Sequence, residues 1–563
     1  MSLTKNQSSG LGWILFAVCV SAPWLIPVHT DPWPTLFSEV ASGLVVVPLG
    51  IWVFAKYRDP ISVDVLAVGF GVAAVVPLLQ ATFGLFAFPA EAPVVSVYLI
   101  GAALAIGVAR HAETHAPGRL PDALFAGLVI ASLVSVGLAL AQWLHLDWGS
   151  LLAGIPSGGR PVANVGQTNE LSTLLIWGLV GLWWAYVQRS IGGVVVLLAA
   201  ATLLVGVAST QSRTGWLAIG LLLSTALISP ALLGSAKHRM AFVGLGLWFV
   251  TLVVVWPAAT NVVHGSEALS LGSQLSAGKR PEIWSMMIDG IRHRPWFGYG
   301  WNQGRLVQLD ELPNYADLKI GVQHAHNLVL DLMVWNGVPL GLTLAVLLGA
   351  WFVWQLRRAE TAAQILLLLA ISTFTLHCML ELPHTKAFFL IPVALMMGTL
   401  NARVALPVAF RLPRAVGGLV VALLAGVLVL TWVDYRNVEA DLQAYRFRLA
   451  RIGIRPPLPP PRIYVLSGLQ TALLNLRIEP HANMTPEDLE RLRVTATRYP
   501  IESAFYKYAR AAALNGQPRQ AQQTLSRWCL LFTRDRCEVA RSAWREFMAK
   551  HPEIGPVTFP TAQ

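Results

Sequence analysis

The sequence is short of charge and of cysteine. Asp, Glu, Lys and Arg make up only 13% of its 563 residues, about half the share in an ordinary soluble domain. A chain so poor in charge cannot present a normal aqueous surface, which excludes the common soluble classes. It has only four cysteines, Cys19, Cys378, Cys529 and Cys537, and none stands in Cys-x-x-Cys spacing, so zinc-ribbon and thioredoxin-like readings fall away. A Gly-rich phosphate loop is missing, and so is an Asp-x-Asp pair of the nucleotide-sugar type. No metal and no cofactor is expected.

Apolar residues are what the chain has in excess, at 55%. They come in blocks of about 17–25 residues, the length that crosses about 30 Å of hydrocarbon. The blocks are 11–28, 38–55, 61–82, 93–109, 121–143, 170–187, 191–208, 214–229, 240–258, 328–355, 361–380, 387–402 and 416–433. The expected fold is therefore all-α, a polytopic membrane protein of about thirteen transmembrane helices. The first block follows Lys5 without an evident small-residue cleavage site, and is expected to be a retained span. The net charge of +11 resides between the blocks, as membrane topology requires, so the partners are membrane lipids and no nucleic acid is expected.

Orientation follows from where the basic residues sit. With the N-terminus inside, the inner loops hold Lys56 and Arg58, Arg110 and Arg119, Arg189, Lys237 and Arg239, Arg357 and Arg358, and Arg403, Arg411 and Arg414. The opposite short loops hold only Arg160, Arg213 and Lys386. These three break the rule, and anion binding is the simplest reason for a cation there. The alternation places the loop 259–327 and the tail after 434 outside.

Within the long loop, Pro281–Arg292 has Ile283, Met286, Met287 and Ile291 on one helical face. In the tail, Arg455–Arg462, with Pro456, Pro457, Pro459, Pro460 and Pro461, reads as a stiff spacer. Helices are expected beyond it at 467–478, 486–498, 502–515, 518–532 and 537–549. Tyr506–Cys529 carries small residues on facing turns around Asn-Gly-Gln-Pro, as in a helical-hairpin repeat, either a docking surface or a structural cap. Cys529 and Cys537 would lie in an oxidising compartment and are candidates for a disulfide.

Polar clusters crowd the outer edge. One runs through Arg160, Asn164, Gly166, Gln167 and Asn169. Helix capping by Thr168 or Asn169 is the plainer account of it, but capping requires neither Gln167 nor Arg160. A second places Arg213 at a membrane boundary, where snorkelling to headgroups is the alternative. A third holds Lys279, Arg280, Glu282, Gly298-Tyr299-Gly300, His324, His326 and Asn327, and a fourth holds Glu381, His384 and Lys386. The two histidines suit a proton acceptor or hydrogen-bond partner better than a metal, for which a third ligand is missing, and a structural role stays open. Taken together, the clusters suggest one site. Arg213 and Arg280 can grip a pyrophosphate bidentately, and His326 can deprotonate or orient a hydroxyl. A diphosphate-activated donor asks only for positioning, charge stabilisation and a weak base.

The stretches SRTGW, GKRPEIW…DGIRHRPWFGYGWNQ and HAHNLVLDLMVWNGVPLGL resemble the O-antigen ligase and polymerase superfamily. RPVANVGQTNELSTLL, LELPHTKAFFLIP and the helical tail look most like its O-linked protein oligosaccharyltransferases. Thr168 and Glu170 depart from that branch, where Pro and His are frequent. The resemblance implies transfer of a glycan from undecaprenyl pyrophosphate to a Ser or Thr hydroxyl of a periplasmic protein such as a pilin, without metal or nucleotide. It gives His326, Arg280 and Arg213 the catalytic roles. Arg160, Gln167, Asn169, His324, Asn327, Glu381, His384 and Lys386 are the substrate-binding candidates. The alternatives are a ligase acting on lipid A-core, a polymerase extending the glycan on its carrier, and a non-enzyme lipid transporter. The last would need repeats and mid-span polar residues that are not evident. The expected organisation is 1–258 N-terminal transmembrane helices, 259–327 periplasmic loop, 328–433 C-terminal transmembrane helices and 434–563 periplasmic helical domain, in a bacterial inner membrane with the N-terminus cytoplasmic.

Overall fold

The computed structural model describes residues 5–153, 160–229, 231–232, 236–265, 278–453, 460–554 and 557–559. The membrane part is helical: α1 (Lys5–Leu25), α2 (Leu36–Lys56), α3 (Val65–Ala73), α4 (Val75–Thr82), α5 (Ala92–His115), α6 (Arg119–Trp143), α7 (Thr168–Val187), α8 (Gly193–Ser209), α9 (Arg213–Ile228) and α10 (Ala236–His264). The long loop carries α11 (Arg280–His293) and α12 (Gly304–Glu311), followed by α13 (Leu328–Arg358), α14 (Ala362–Cys378), α15 (Ala387–Arg403) and α16 (Arg414–Leu449). The tail adds α17 (Ser467–Asn475), α18 (Pro486–Arg498), α19 (Glu502–Leu514), α20 (Pro518–Leu531) and α21 (Arg534–Lys550). Among the described residues, 8 helical segments are long and apolar enough to cross a membrane. The shorter apolar helices Gly10–Leu25, Gly193–Ser209, Arg213–Ile228, Ala362–Cys378 and Ala387–Arg403 account for the rest of the expected segments.

One departure is a strand. The segment expected to be helical from residue 61 begins as β1 (Ile61–Asp64), paired antiparallel with β2 (Val408–Leu412). Asp64 ends the strand and starts α3, its Oδ1 accepting the amides of Leu66 (3.1 Å) and Ala67 (3.0 Å). Its other oxygen receives Arg110 at 3.1 Å and Asn401 at 2.9 Å. The two loops thus joined are ones that the charge alternation assigns to the inner side.

The chain forms two compact units. The first comprises the described residues of 1–74, 97–276 and 348–429, and its core is aromatic. Trp24 packs edge-on to Trp177, Phe388 and Phe389. Gly127 and Gly398 let helices approach so closely that a Cβ at either would strike a backbone oxygen. This is how helices associate where lipid removes the hydrophobic drive between them.

The second unit comprises the described residues of 75–96, 277–347 and 430–563. Here α13 is interrupted at Gly337 (φ +74°). Pro339 has no N–H to offer the Trp335 carbonyl, and the break denies partners to neighbouring backbone groups. The loop after α11 supplies them. Tyr299 donates to the Val334 carbonyl at 2.8 Å, Gly300 to that of Trp335 at 3.1 Å, and Val338 to that of Pro295 at 2.7 Å. Gln80 completes the arrangement, donating to the Trp335 carbonyl (2.9 Å) and accepting from the Trp301 amide (2.8 Å). Gly298, at φ +68°, forms the tight turn expected of Gly-Tyr-Gly.

The long loop and the tail share a core in which Leu309 and Leu312 pack with Phe505, Trp528, Leu531 and Ala540. Glu91 joins them by a second route, receiving Gln303 (3.0 Å), Arg498 (2.9 Å) and Tyr499 (2.7 Å). α16 runs 36 residues, about 54 Å at 1.5 Å per residue, so the tail starts as a continuation of a helix instead of breaking away at 434. Asp434 then accepts the amides of Tyr464, Val465 and Leu466 where the chain returns. Of the expected proline spacer, residues 454–459 lie outside the described residues. The tail helices fall where expected, α19 and α20 form the hairpin around Gly516, and Cys529 is bonded to Cys537.

Gly337→Ala is predicted to lower the thermal unfolding midpoint of the purified protein. The backbone at φ +74°, ψ 171° lies in a region essentially reserved for glycine and costs an alanine about 1–3 kcal/mol, and a Cβ would lie 2.3 Å from the Trp296 carbonyl oxygen. An unchanged midpoint contradicts the role given to the break.

Candidate functional site

In the first unit, the sequence-predicted residues of three loops come together around Asn169. α7 starts at Thr168, and its N-cap, Gln167, makes no side-chain capping bond. The suggestion that Thr168 or Asn169 caps this helix is therefore not what the structure shows. Asn169 reaches sideways instead. Its Nδ2 donates to Glu381 Oε1 at 2.9 Å, and its Oδ1 accepts the Ser212 hydroxyl at 2.7 Å. Ser212 is the N-cap of α9 and accepts the Gly215 amide at 3.1 Å. One carboxamide thus ties the start of α7 to the start of α9 and to the turn before α15. Lys386 is ion-paired with the buried Glu170, and His384 lies in the short turn Pro383–Thr385 between Glu381 and Lys386. Gln167 is exposed beside the cluster.

The electrostatics of this end favour an anion. Arg160 donates Nε to the Thr210 carbonyl (2.9 Å) and Nη2 to that of Gln211 (3.2 Å), carbonyls at the end of α8. Burial pushes its guanidinium below the ordinary range, Arg213 nearby pushes it further, and Glu381 opposes. Arg213 is the first residue of α9, where the helix dipole is already positive and a cation is disfavoured. A negatively charged ligand would relieve both costs.

In the second unit, the histidine loop is held from two directions. Gln308 of α12 accepts the Val322 amide at 2.8 Å and donates to the Ile320 carbonyl. Asp331, buried in the first turn of α13, accepts the Ala325 amide at 2.7 Å. Asn327 caps α13, its Oδ1 accepting Val329 (3.1 Å) and Leu330 (3.2 Å), so that oxygen is already committed to the fold. The two histidines then part. His324 is 6% exposed, with its ring edge-on to Trp335 at 5.9 Å. His326 is partly exposed and sits at φ +53°, a left-handed conformation that a non-glycine residue holds only when its surroundings enforce it. Arg280, half-buried, opens α11, which buries Ile283, Met286, Met287 and Ile291 as expected. Lys279 donates to the carbonyls of Asp317 and Leu318 and so ties the start of α11 to the same loop. Among the described residues no three His, Cys, Asp or Glu side chains come together as ligands for a metal.

Sequence reasoning missed Asp331, Ser212 and Glu39. Asp331 and Glu39 had a signal: each is an ionisable residue at the start of an apolar block, which membrane segments retain only for a reason. Glu39 accepts the Ala387 amide at the head of α15. Ser212 had none, since a serine at a helix start is commonplace.

Residues 198–345 match the family described as O-antigen ligase, and residues 365–546 match the C-terminal part of virulence factor membrane-bound polymerases. The chain is 29% identical over 536 residues to a general O-oligosaccharyltransferase of Acinetobacter baylyi, covering 91% of each. It is 28% identical over 277 residues to a ComP-specific O-oligosaccharyltransferase of the same organism, covering 49% of this chain and 50% of that one. The chain is thus similar, along most of its length, to the O-antigen ligase superfamily and to its O-oligosaccharyltransferases. The first superfamily match contains Arg213, Arg280, His324, His326 and Asn327, and the second contains Glu381, His384 and Lys386 together with most of the tail. Arg160, Gln167 and Asn169 lie outside both matches.

Asp331→Ala is predicted to speed hydrogen exchange at the Ala325 amide by about ten-fold or more, the loss of a buried hydrogen bond. Asp331→Asn retains an acceptor oxygen and should change it less. Equal exchange in both variants and the native protein would show that Asp331 does not hold the histidine loop.

Proposed function

We propose that the chain is an O-oligosaccharyltransferase that takes its glycan from undecaprenyl pyrophosphate and delivers it to Ser or Thr hydroxyls of periplasmic, pilin-like proteins. The observation that carries this reading is the similarity to a general O-oligosaccharyltransferase along 91% of both chains. We place the protein in a bacterial inner membrane, with the N-terminus cytoplasmic and both the histidine loop and the tail periplasmic, on the alternation of basic loops.

In the reaction, the acceptor oxygen attacks the anomeric carbon of the donor. A new glycosidic bond forms, the carbon–oxygen bond to the pyrophosphate breaks, and the electron pair leaves with undecaprenyl pyrophosphate. His326 takes the hydroxyl proton. Arg213 and Arg280 grip the pyrophosphate and stabilise the charge that grows on it, which forked guanidinium donors do well. Arg160, Gln167, Asn169, Glu381, His384 and Lys386, with His324 and Asn327, contribute to substrate binding. The chemistry needs neither nucleotide nor metal. The name of the family, O-antigen ligase, favours one second reading, transfer to a sugar hydroxyl of lipid A-core.

His326→Ala and Arg280→Ala are each predicted to lower glycan transfer by about 100-fold or more, the usual worth of a positioned base or of an electrostatic clamp. Both proteins should remain folded and inserted. Native transfer rates in both variants would remove the roles assigned here. Transfer by the native protein should also survive exhaustive chelation with EDTA. Loss that is restored by a divalent cation would overturn the metal-free part of the proposal.

A further inference from the structure

The hairpins of the tail leave a small open cleft, with room for about 150 Å³, beside α18, α19 and α20. Its floor carries Phe505 and Tyr508, and Gln520, Gln523, Arg493 and Arg527 surround them. Two features distinguish it from an ordinary inter-helix gap. The first is charge. Arg493 shares its guanidinium with Glu490 one turn earlier (2.6 Å), but Arg527 has no carboxylate partner among the described residues. Both arginines act on Tyr508, favouring its ionised form against the burial that raises its pKa. The second is connection. Leu309 at the edge of the cleft belongs to α12, whose Gln308 holds the loop leading to His324 and His326.

We propose that this cleft docks an acidic, extended segment of the acceptor protein. The inference rests on the reading of the chain as a protein oligosaccharyltransferase. The carboxamides of Gln520 and Gln523 can both donate to and accept from an extended backbone. The aromatic floor suits small apolar side chains. The guanidinium of Arg527 suits a carboxylate, which it can bind in a forked geometry, whereas the fork of Arg493 is held by Glu490. Stacked helical hairpins commonly present such a concave surface to a partner. A segment seated here would lie against the helix that steadies the histidine loop, and would select acceptors by the charge around their serine or threonine.

The test is binding, measured by fluorescence anisotropy on the full-length protein in detergent. The probes are a short labelled serine peptide rich in Asp and Glu, and the same peptide with Lys or Gln in place of the acids. The acidic peptide should bind best. Arg527→Glu should weaken that binding by about ten-fold and favour the Lys peptide, while Arg527→Lys should retain most of it. Circular dichroism and the intact Cys529–Cys537 bond will show that the Glu variant is folded. Equal affinities for the acidic and Gln peptides, or for native protein and the folded Arg527→Glu variant, would overturn the proposal. So would displacement of the acidic peptide from the cleft by an anionic oligosaccharide but not by unlabelled peptide. Because no glycan moves in this experiment, its failure leaves the transferase reading standing, and peptide binding without any transfer activity would strike at that reading alone.

Discussion

A backbone group left without a partner away from water costs several kcal/mol, and the apolar helix α13 is broken at Gly337. Much of the second unit answers that break. The Pro295–Gly300 backbone satisfies the freed carbonyls and receives the freed amide, and Gln80 ties Trp301 to the same point. The loop is therefore pinned by necessity, not by surface contacts that could come and go. The first turn of α13, above the break, carries Asp331 and the Asn327 cap, which shape the turn at His326. A strained, partly exposed histidine on a loop held by Gln308, Asp331 and Asn327 is the arrangement expected of a group that must meet its substrate in one geometry.

The first unit solves a different problem, that of keeping charge at the edge of an apolar bundle. Glu170 is buried against Lys386, and Asn169 divides its two ends between Glu381 and Ser212. A buried pair of this kind adds little stability over an apolar one but fixes which groups face each other. Arg160 and Arg213 stand beside it, the second at a helix start whose dipole disfavours a cation. At the opposite end, the Asp64 carboxylate gathers Arg110, Asn401 and two helix-start amides and is satisfied within the fold.

What the residues revealed in advance follows the strength of their periodicity. The apolar blocks, the α11 face and the tail helices were legible because burial imposes a repeat on them. Arg160, Arg213 and Lys386 stood out because they break a charge rule. The strand at Ile61–Asp64 was not, since four residues at the head of an apolar run look like more of the run. Nor was the extent of α16, because Asp434 interrupts the apolar pattern without interrupting the helix. At the site, the sequence and the resemblance already singled out His326 over His324, two residues apart, but not what sets them apart. Only the fold shows that one ring is enclosed against Trp335 while the other stands partly exposed. Asn327 likewise read as a ligand group, although its oxygen serves as a helix cap. Such assignments depend on contacts between distant segments, which local pattern does not encode.

The central claim is that the glycan goes to a protein hydroxyl, and acceptor choice tests it most directly. Purified protein is given undecaprenyl-pyrophosphate-linked glycan with either a periplasmic pilin-like protein or lipid A-core, and products are read by mass shift. The account predicts glycan on Ser or Thr of the protein acceptor. Modified lipid A-core with an untouched protein acceptor would contradict it and make the chain a ligase.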